Sequence, residues 1–238
     1  MKSVLSITAL ALSAALAPAA VTIQVATADL VAAYDGSSVV IDGAAVNGNE
    51  LQSWVDQSPS GVTRNLNNVS GAITRRPTLQ SGGPNGLPFI NFNGADQEAL
   101  FFDNHTDLNG TDGISFFVVT RMASNSGTPN IVRTSDSNAA NNWGAFGFSG
   151  DRISVHARNG GAFQGADLAG GVPTDKWFIL TGILNPAGPT AVLNRLNTLD
   201  GSLSLQATNA GPITLGSHVR TTVGSNVSFS ANNWLNGD

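Results

Sequence analysis

Short apolar runs recur along most of the chain, separated every ten positions or so by Gly, Asn, Asp, Ser and Pro. This is the spacing of strands in a sandwich or barrel. The pattern predicts strands at Leu30–Tyr34, Ser38–Ile41, Leu51–Trp54, Pro88–Phe92, Ala99–Phe102, Ile114–Arg121 and Asn130–Arg133. Further strands are predicted at Trp143–Phe148, Arg152–His156, Trp177–Leu184, Ala191–Leu193, Ser202–Gln206 and Ile213–Leu215. Ile114–Thr120 is apolar at nearly every position, which fits a central strand covered on both faces, with Phe116 and Val118 in the core. Phe146 and Phe148 alternate with small residues, and Ile153 and Val155 alternate with Arg152, Ser154 and His156. The two runs are joined by Ser149-Gly150-Asp151 as a hairpin with one buried face. No run carries a convincing helical period.

Composition narrows the class. The chain has 238 residues with 27 glycines and 10 prolines, placed between the runs, where turns use them. No internal repeat stands out at a fixed period, so a propeller or solenoid is disfavoured, and one all-β domain, a two-sheet antiparallel jelly roll, fits best. The absence of cysteine excludes disulfides and thiolate chemistry. With 11 Lys plus Arg against 16 Asp plus Glu, the net charge is −5, which offers no general cationic surface for nucleic acid or anionic lipid.

Residues 1–20 read as a secretory leader: Lys2, an apolar run Val4–Leu16, then the small residues Ala17-Pro18-Ala19-Ala20. The run is shorter than the roughly 20 residues a membrane-crossing helix needs. Ala26-Thr27-Ala28 offers a second cleavage point, and no later stretch is apolar enough to span. Residues 21–238 are then an acidic exported domain, secreted or at the cell surface. The lack of disulfides points to a bacterial source.

Four segments carry a family resemblance. Leu30-Val31-Ala32-Ala33-Tyr34-Asp35 looks like an opening strand, and Trp54-Val55-Asp56-Gln57-Ser58 like a Trp-x-Asp-x-Ser turn followed by Pro77 and the stretch Asn85–Asp96. Trp177–Thr181 and Ile213-Thr214-Leu215-Gly216 resemble later strands. Together they resemble the laminin G-like branch of the concanavalin A-like jelly rolls. The resemblance implies a further strand after a turn such as Asn236-Gly237-Asp238, so the chain is expected to lack its last strand, which would leave an unpaired edge.

The chemistry is sparse. Glycoside hydrolases on this scaffold resemble one another in carrying paired carboxylates on one strand, yet the only glutamates, Glu50 and Glu98, lie far apart in sequence and no Asp-x-Asp occurs. Tyr34, the single tyrosine, reads as a core filler with its hydroxyl bonded, and no nucleophile elbow or phosphate loop is present. These absences favour a non-catalytic module, with a hydrolase or lyase as the enzymatic alternative and a purely structural surface protein as a third.

Two clusters remain. Asp107, Asn109 and Asp112 crowd oxygen donors into one loop and could hold calcium, or could simply build turns; Asp136, Asn138 and Asn141 form a weaker set. Period-two alternation puts Arg152, Ser154, His156 and Arg158 on one strand face, either an ordinary solvated surface or a contact for anionic glycan. Asn141-Asn142-Trp143 and Phe163, in a predicted loop, add an aromatic and amide combination of the kind that grips sugar hydroxyls, although Trp143 could equally pack inward. Trp54 and Trp177 are expected in the core. The expected ligand is an extracellular glycan or a cell-surface protein.

Overall fold

The computed structural model describes residues 4–6, 30–41, 49–60, 62–68, 75–103, 113–124, 127–135, 143–149, 152–159, 162–169, 174–185, 192–197, 203–208, 220–225 and 234–238. In chain order the strands are β1 (Val4–Ser6), β2 (Leu30–Ala32), β3 (Val39–Ile41), β4 (Leu51–Trp54), β5 (Leu66–Asn68), β6 (Thr78–Gln80), β7 (Phe89–Asn91), β8 (Leu100–Asp103) and β9 (Ile114–Arg121). They continue as β10 (Asn130–Ser135), β11 (Trp143–Ser149), β12 (Arg152–Asn159), β13 (Ala162–Leu168), β14 (Trp177–Leu184), β15 (Val192–Asn197), β16 (Leu203–Thr208) and β17 (Arg220–Val223). One sheet has six strands in the order β16-β15-β14-β9-β1-β2, the other nine in the order β13-β12-β11-β10-β17-β8-β5-β4-β3, and β6 pairs with β7 alone. The protein is an antiparallel two-sheet β-sandwich of the jelly-roll kind, as the pattern predicts. One local departure is β1, which pairs parallel with both β2 and β9.

The two longest predicted runs of the six-stranded sheet are its centre. Along β9 and β14 burial alternates strictly, so Ile114, Phe116 and Val118 lie inward opposite Leu184, Gly182 and Leu180. The outward residues Ser115, Phe117 and Val119 are half-buried rather than fully covered, so only one face of β9 is core. Phe116 stacks on Phe146 of the facing sheet with ring centroids 5.9 Å apart. Gly182 leaves room for that stack: a Cβ there would stand 3.0 Å from the Phe146 ring and 3.1 Å from Val155. Each fully buried side chain of this size contributes about 1.5–3 kcal/mol, and Phe116, Phe146, Phe178, Ile153 and Val155 are all within 2% of complete burial.

The shorter strands are held by side chains. Asp56, in the turn after β4, accepts through Oδ1 from the backbone N–H of Ala33 and Ser58, and through Oδ2 from the N–H of Arg64 and the Ser58 hydroxyl. That carboxylate ties three chain segments together. Tyr34 is 1% exposed and its hydroxyl donates to the Arg64 carbonyl, as expected. Trp54 is buried, and its Nε1 donates to the Asp35 carbonyl at 2.6 Å. Trp177 differs from expectation: it is half-buried, edge-on to Phe89 at 5.4 Å and under the Arg121 guanidinium at 5.3 Å, because it lines a cavity rather than the close-packed centre.

At the C-terminal end Gly237 bridges Phe92 and Met122, and Asp238 exchanges backbone hydrogen bonds with Arg121 at 3.0 and 2.8 Å. The Asp238 carboxylate also takes Arg121 Nε at 2.5 Å and Asn91 Nδ2 at 2.7 Å. Asn236-Gly237-Asp238 is therefore knitted to the end of β9. The predicted strand Ile213–Leu215 lies outside the described residues.

Candidate functional site

Four neighbouring strands, β10 to β13, build a regular antiparallel surface whose inner side is core. Ile153, Val155 and Ala157 point inward and are buried, so Arg152, Ser154, His156 and Arg158 share the outer face, as alternation predicts. The inner side supplies the order. Cross-strand pairing then brings the other residues alongside. Trp143, Arg158 and Phe163 stand directly opposite one another on β11, β12 and β13, and the same row continues to Ser135, Arg220 and Asp103 on β10, β17 and β8. The adjacent row is Phe101, Thr222, Arg133, Ala145, His156 and Gly165. At about 4.8 Å between strands, each six-strand row runs about 24 Å.

Phe163 belongs to strand β13 and not to a loop. The small residues of Ala162–Leu168 resemble turn residues in the sequence, yet here they permit close approach. A Cβ on Gly165 would meet His156 Cδ2 at 2.1 Å and the Val155 carbonyl oxygen at 2.3 Å. Asn141 and Asn142 lie outside the described residues, as do Asp107, Asn109, Asp112, Asp136 and Asn138. Among the described residues no group of three or more His, Asp or Glu could hold a metal ion.

The polar face is organised around Asp167. Its Oδ1 accepts from the Ser154 hydroxyl at 2.6 Å and lies 3.0 Å from His156 Nε2, while Arg152 approaches Oδ2 at 4.0 Å. Burial lowers the His156 pKa, and Asp167 opposes that shift only in part, so the ring is neutral near pH 7 with Nε2 carrying the proton donated to Asp167. The Ser154 hydroxyl and His156 Nε2 both turn to the same carboxylate oxygen. A nucleophilic serine needs a base nitrogen turned toward its hydroxyl, so the trio does not make a hydrolytic triad. Positive charge on the face comes from arginine. Arg220 is held by Asp103 at 2.5 and 3.0 Å and lies 4.8 Å above the Phe101 ring; Arg158 is half-buried, and its Nε is buried without a hydrogen-bond partner.

The two glutamates, remote in sequence, are electrostatic neighbours in the fold. Both are buried, at 4% and 6% exposure, and Glu98 Oε2 accepts from the Asn93 N–H at 2.6 Å. Burial first, with the charges of Asp96 and Glu50 adding, lifts the Glu98 carboxyl to about 7 against the pull of that hydrogen bond. No pattern along the chain signals this proximity.

No protein-family model matches the chain, and no curated protein matches it. Among solved structures it is similar to full-length tailspike protein 2 from Escherichia coli O157:H7 bacteriophage CAB120, with a TM-score of 0.51 and 15% identity over 76% of this chain and 26% of that one. It is also similar to the enzymatically active domain of bacteriophage CBA120 tailspike protein 2, with a TM-score of 0.50 and 16% identity over 76% of this chain and 29% of that one. The carbohydrate binding module CBM66 from Bacillus subtilis aligns at a TM-score of 0.34 and 12% identity, over 72% and 89% of the two chains. The chain thus spans less than a third of either tailspike chain. At these identities the tailspike likeness bears on the fold, which is all-β.

Proposed function

We propose that the protein is an exported, non-catalytic binding module that takes anionic extracellular glycan on the outer face of β10–β13. The observation that supports this best is the single row of Trp143, Arg158 and Phe163 abreast on three paired strands, with Arg220 further along it. Aromatic positions beside guanidinium groups suit a sugar polymer bearing carboxylates or sulfates, since arginine recognises both in a bidentate manner. On this face Arg152, Arg158 and Arg220 outnumber Asp103 and Asp167, which makes it a local cationic strip on an acidic chain. Its short motifs resembling laminin G-like domains support the same role, and the leader-like pattern of residues 1–20, of which Val4–Ser6 pairs here with β2 and β9, supports export.

The test is retention of the purified protein on immobilised polyuronate and on neutral glucan. Retention on the polyuronate alone, weakened by salt and reduced about tenfold by Arg158→Ala, is the expected result. Equal retention on both matrices, or on neither, overturns the anionic-glycan reading. Release of new reducing ends or unsaturated sugars would replace it with an enzyme.

A further inference from the structure

The arginines on the outer face of the nine-stranded sheet are not equivalent. Arg220, on β17, is held by both oxygens of Asp103 on β8, at 2.5 and 3.0 Å. Arg152, on β12, approaches Asp167 Oδ2 of β13 at 4.0 Å, and Asp167 Oδ1 also takes the Ser154 hydroxyl and His156 Nε2. Each carboxylate comes from the strand beside its arginine, so strand register builds the match. Arg133, one row away, is half-buried and has contacts of its own. Arg158 differs. Among the described residues no carboxylate pairs with it, and its Nε is buried without a hydrogen-bond partner.

The matched arginines stand well apart from the unmatched one. Arg220 lies three strand spacings from Arg158 in the same row, about 14 Å. Arg152 lies six residues away along β12, about 20 Å at 3.4 Å per residue. A guanidinium already paired with a carboxylate offers little to a second one, because the aspartate cancels its field and the incoming anion still loses water. A polymer with an acid on every sugar therefore meets one open cation and two aspartates on this face.

We propose that the face is univalent for acid: Arg158 takes one acidic group, Asp103 and Asp167 turn away further ones, and the preferred ligand is a glycan whose acidic sugars are spaced by neutral ones. This rests on the glycan reading above and narrows its substrate class. Asp167 is the specificity-determining residue, since it occupies the Ser154 and His156 donors as well as Arg152.

The experiment measures binding of the full chain to polygalacturonate, and to the same polymer with most of its acids methyl-esterified, over a salt series. The slope of log affinity against log salt reports the number of ion pairs formed. The expected result is the same slope on both polymers. A steeper slope on polygalacturonate overturns univalence and leaves the glycan reading standing, whereas binding of neither polymer overturns both. Asp167→Asn keeps an acceptor for Ser154 and His156 and removes the charge. That variant is expected to bind polygalacturonate about fivefold more tightly, the worth of one exposed ion pair, and with a steeper slope. Arg152→Ala in the Asp167→Asn background is expected to cancel the gain. An Asp167→Asn variant that binds as wild type does, or a gain that survives Arg152→Ala, also overturns the proposal. The comparison of the two polymers by the wild-type chain decides the matter even if the variant fails to fold.

Discussion

At one end of the nine-stranded sheet β10 to β13 are six to eight residues long and β11–β12–β13 pair without a break in register, whereas at the other end β3, β4, β5 and β8 have only three or four residues each. The long strands hold one another through ladders and alternating core residues. The short ones make too few ladder bonds to fix their places, and side chains supply the rest. Asp56 joins three segments, Asn68 Nδ2 donates to the Leu51 carbonyl at 2.6 Å, and Trp54 donates to Asp35. The long half therefore offers a regular outer face, while the buried charged side chains Glu50, Arg64 and Glu98 lie beside the short strands.

Mutations that separate the two means of support test this contrast. Phe146→Ala removes half of the stack that joins the sheets at the long end and should cost about 4 kcal/mol in a denaturant titration. A loss of less than about 1 kcal/mol would show that the ladders alone sustain that end. Asp56→Ala strands the N–H groups of Ala33, Ser58 and Arg64 and should cost about 3 kcal/mol. Amide exchange should then quicken first in β2 to β5. Equal quickening in β11–β13 would erase the distinction between the halves.

A third effect depends on pH. The folded Glu98 carboxyl sits at about 7, above its ordinary value of 4.5, so its protonated form favours the fold. That contribution is complete below about 4.5 and is lost as pH rises through about 7, a change on the order of 2–3 kcal/mol. Glu98→Gln keeps an acceptor for Asn93 and cannot ionise, so its stability relative to wild type should grow between pH 5 and pH 8. Parallel profiles for the two proteins would contradict the assignment. The smallest effect belongs to the long end, where Arg158→Ala should shift stability by no more than about 0.5 kcal/mol while weakening polyuronate retention.

What the sequence reveals follows the same division. β9 and β14 are legible to the residue because eight alternating positions over-determine a strand, and the β11–β12 hairpin is legible for the same reason. Leu66-Asn67-Asn68 and Thr78-Leu79-Gln80 carry no period of their own; they are strands because Asp56, Asn49 and Asn68 fasten the chain around them. β13 is hidden by its small residues, which look like turn formers until their cross-strand neighbours are known. The polar face of β12 is visible in one strand, but its alignment with Trp143 and Phe163 is a matter of register between strands. The nearness of Glu50 and Glu98, and the parallel placement of β1, depend on contacts across much of the chain.

The tight fit of Gly165 against His156 has an evolutionary consequence. The missing methyl at 165 acts as a mould for the imidazole, which in turn meets Asp167. The constraint on 165 comes from the backbone of the neighbouring strand as well as from the imidazole. A side chain at 165 would meet the Val155 carbonyl oxygen and the His156 Cα whatever residue stands at 156, so the close approach of β12 and β13 itself holds that position to glycine.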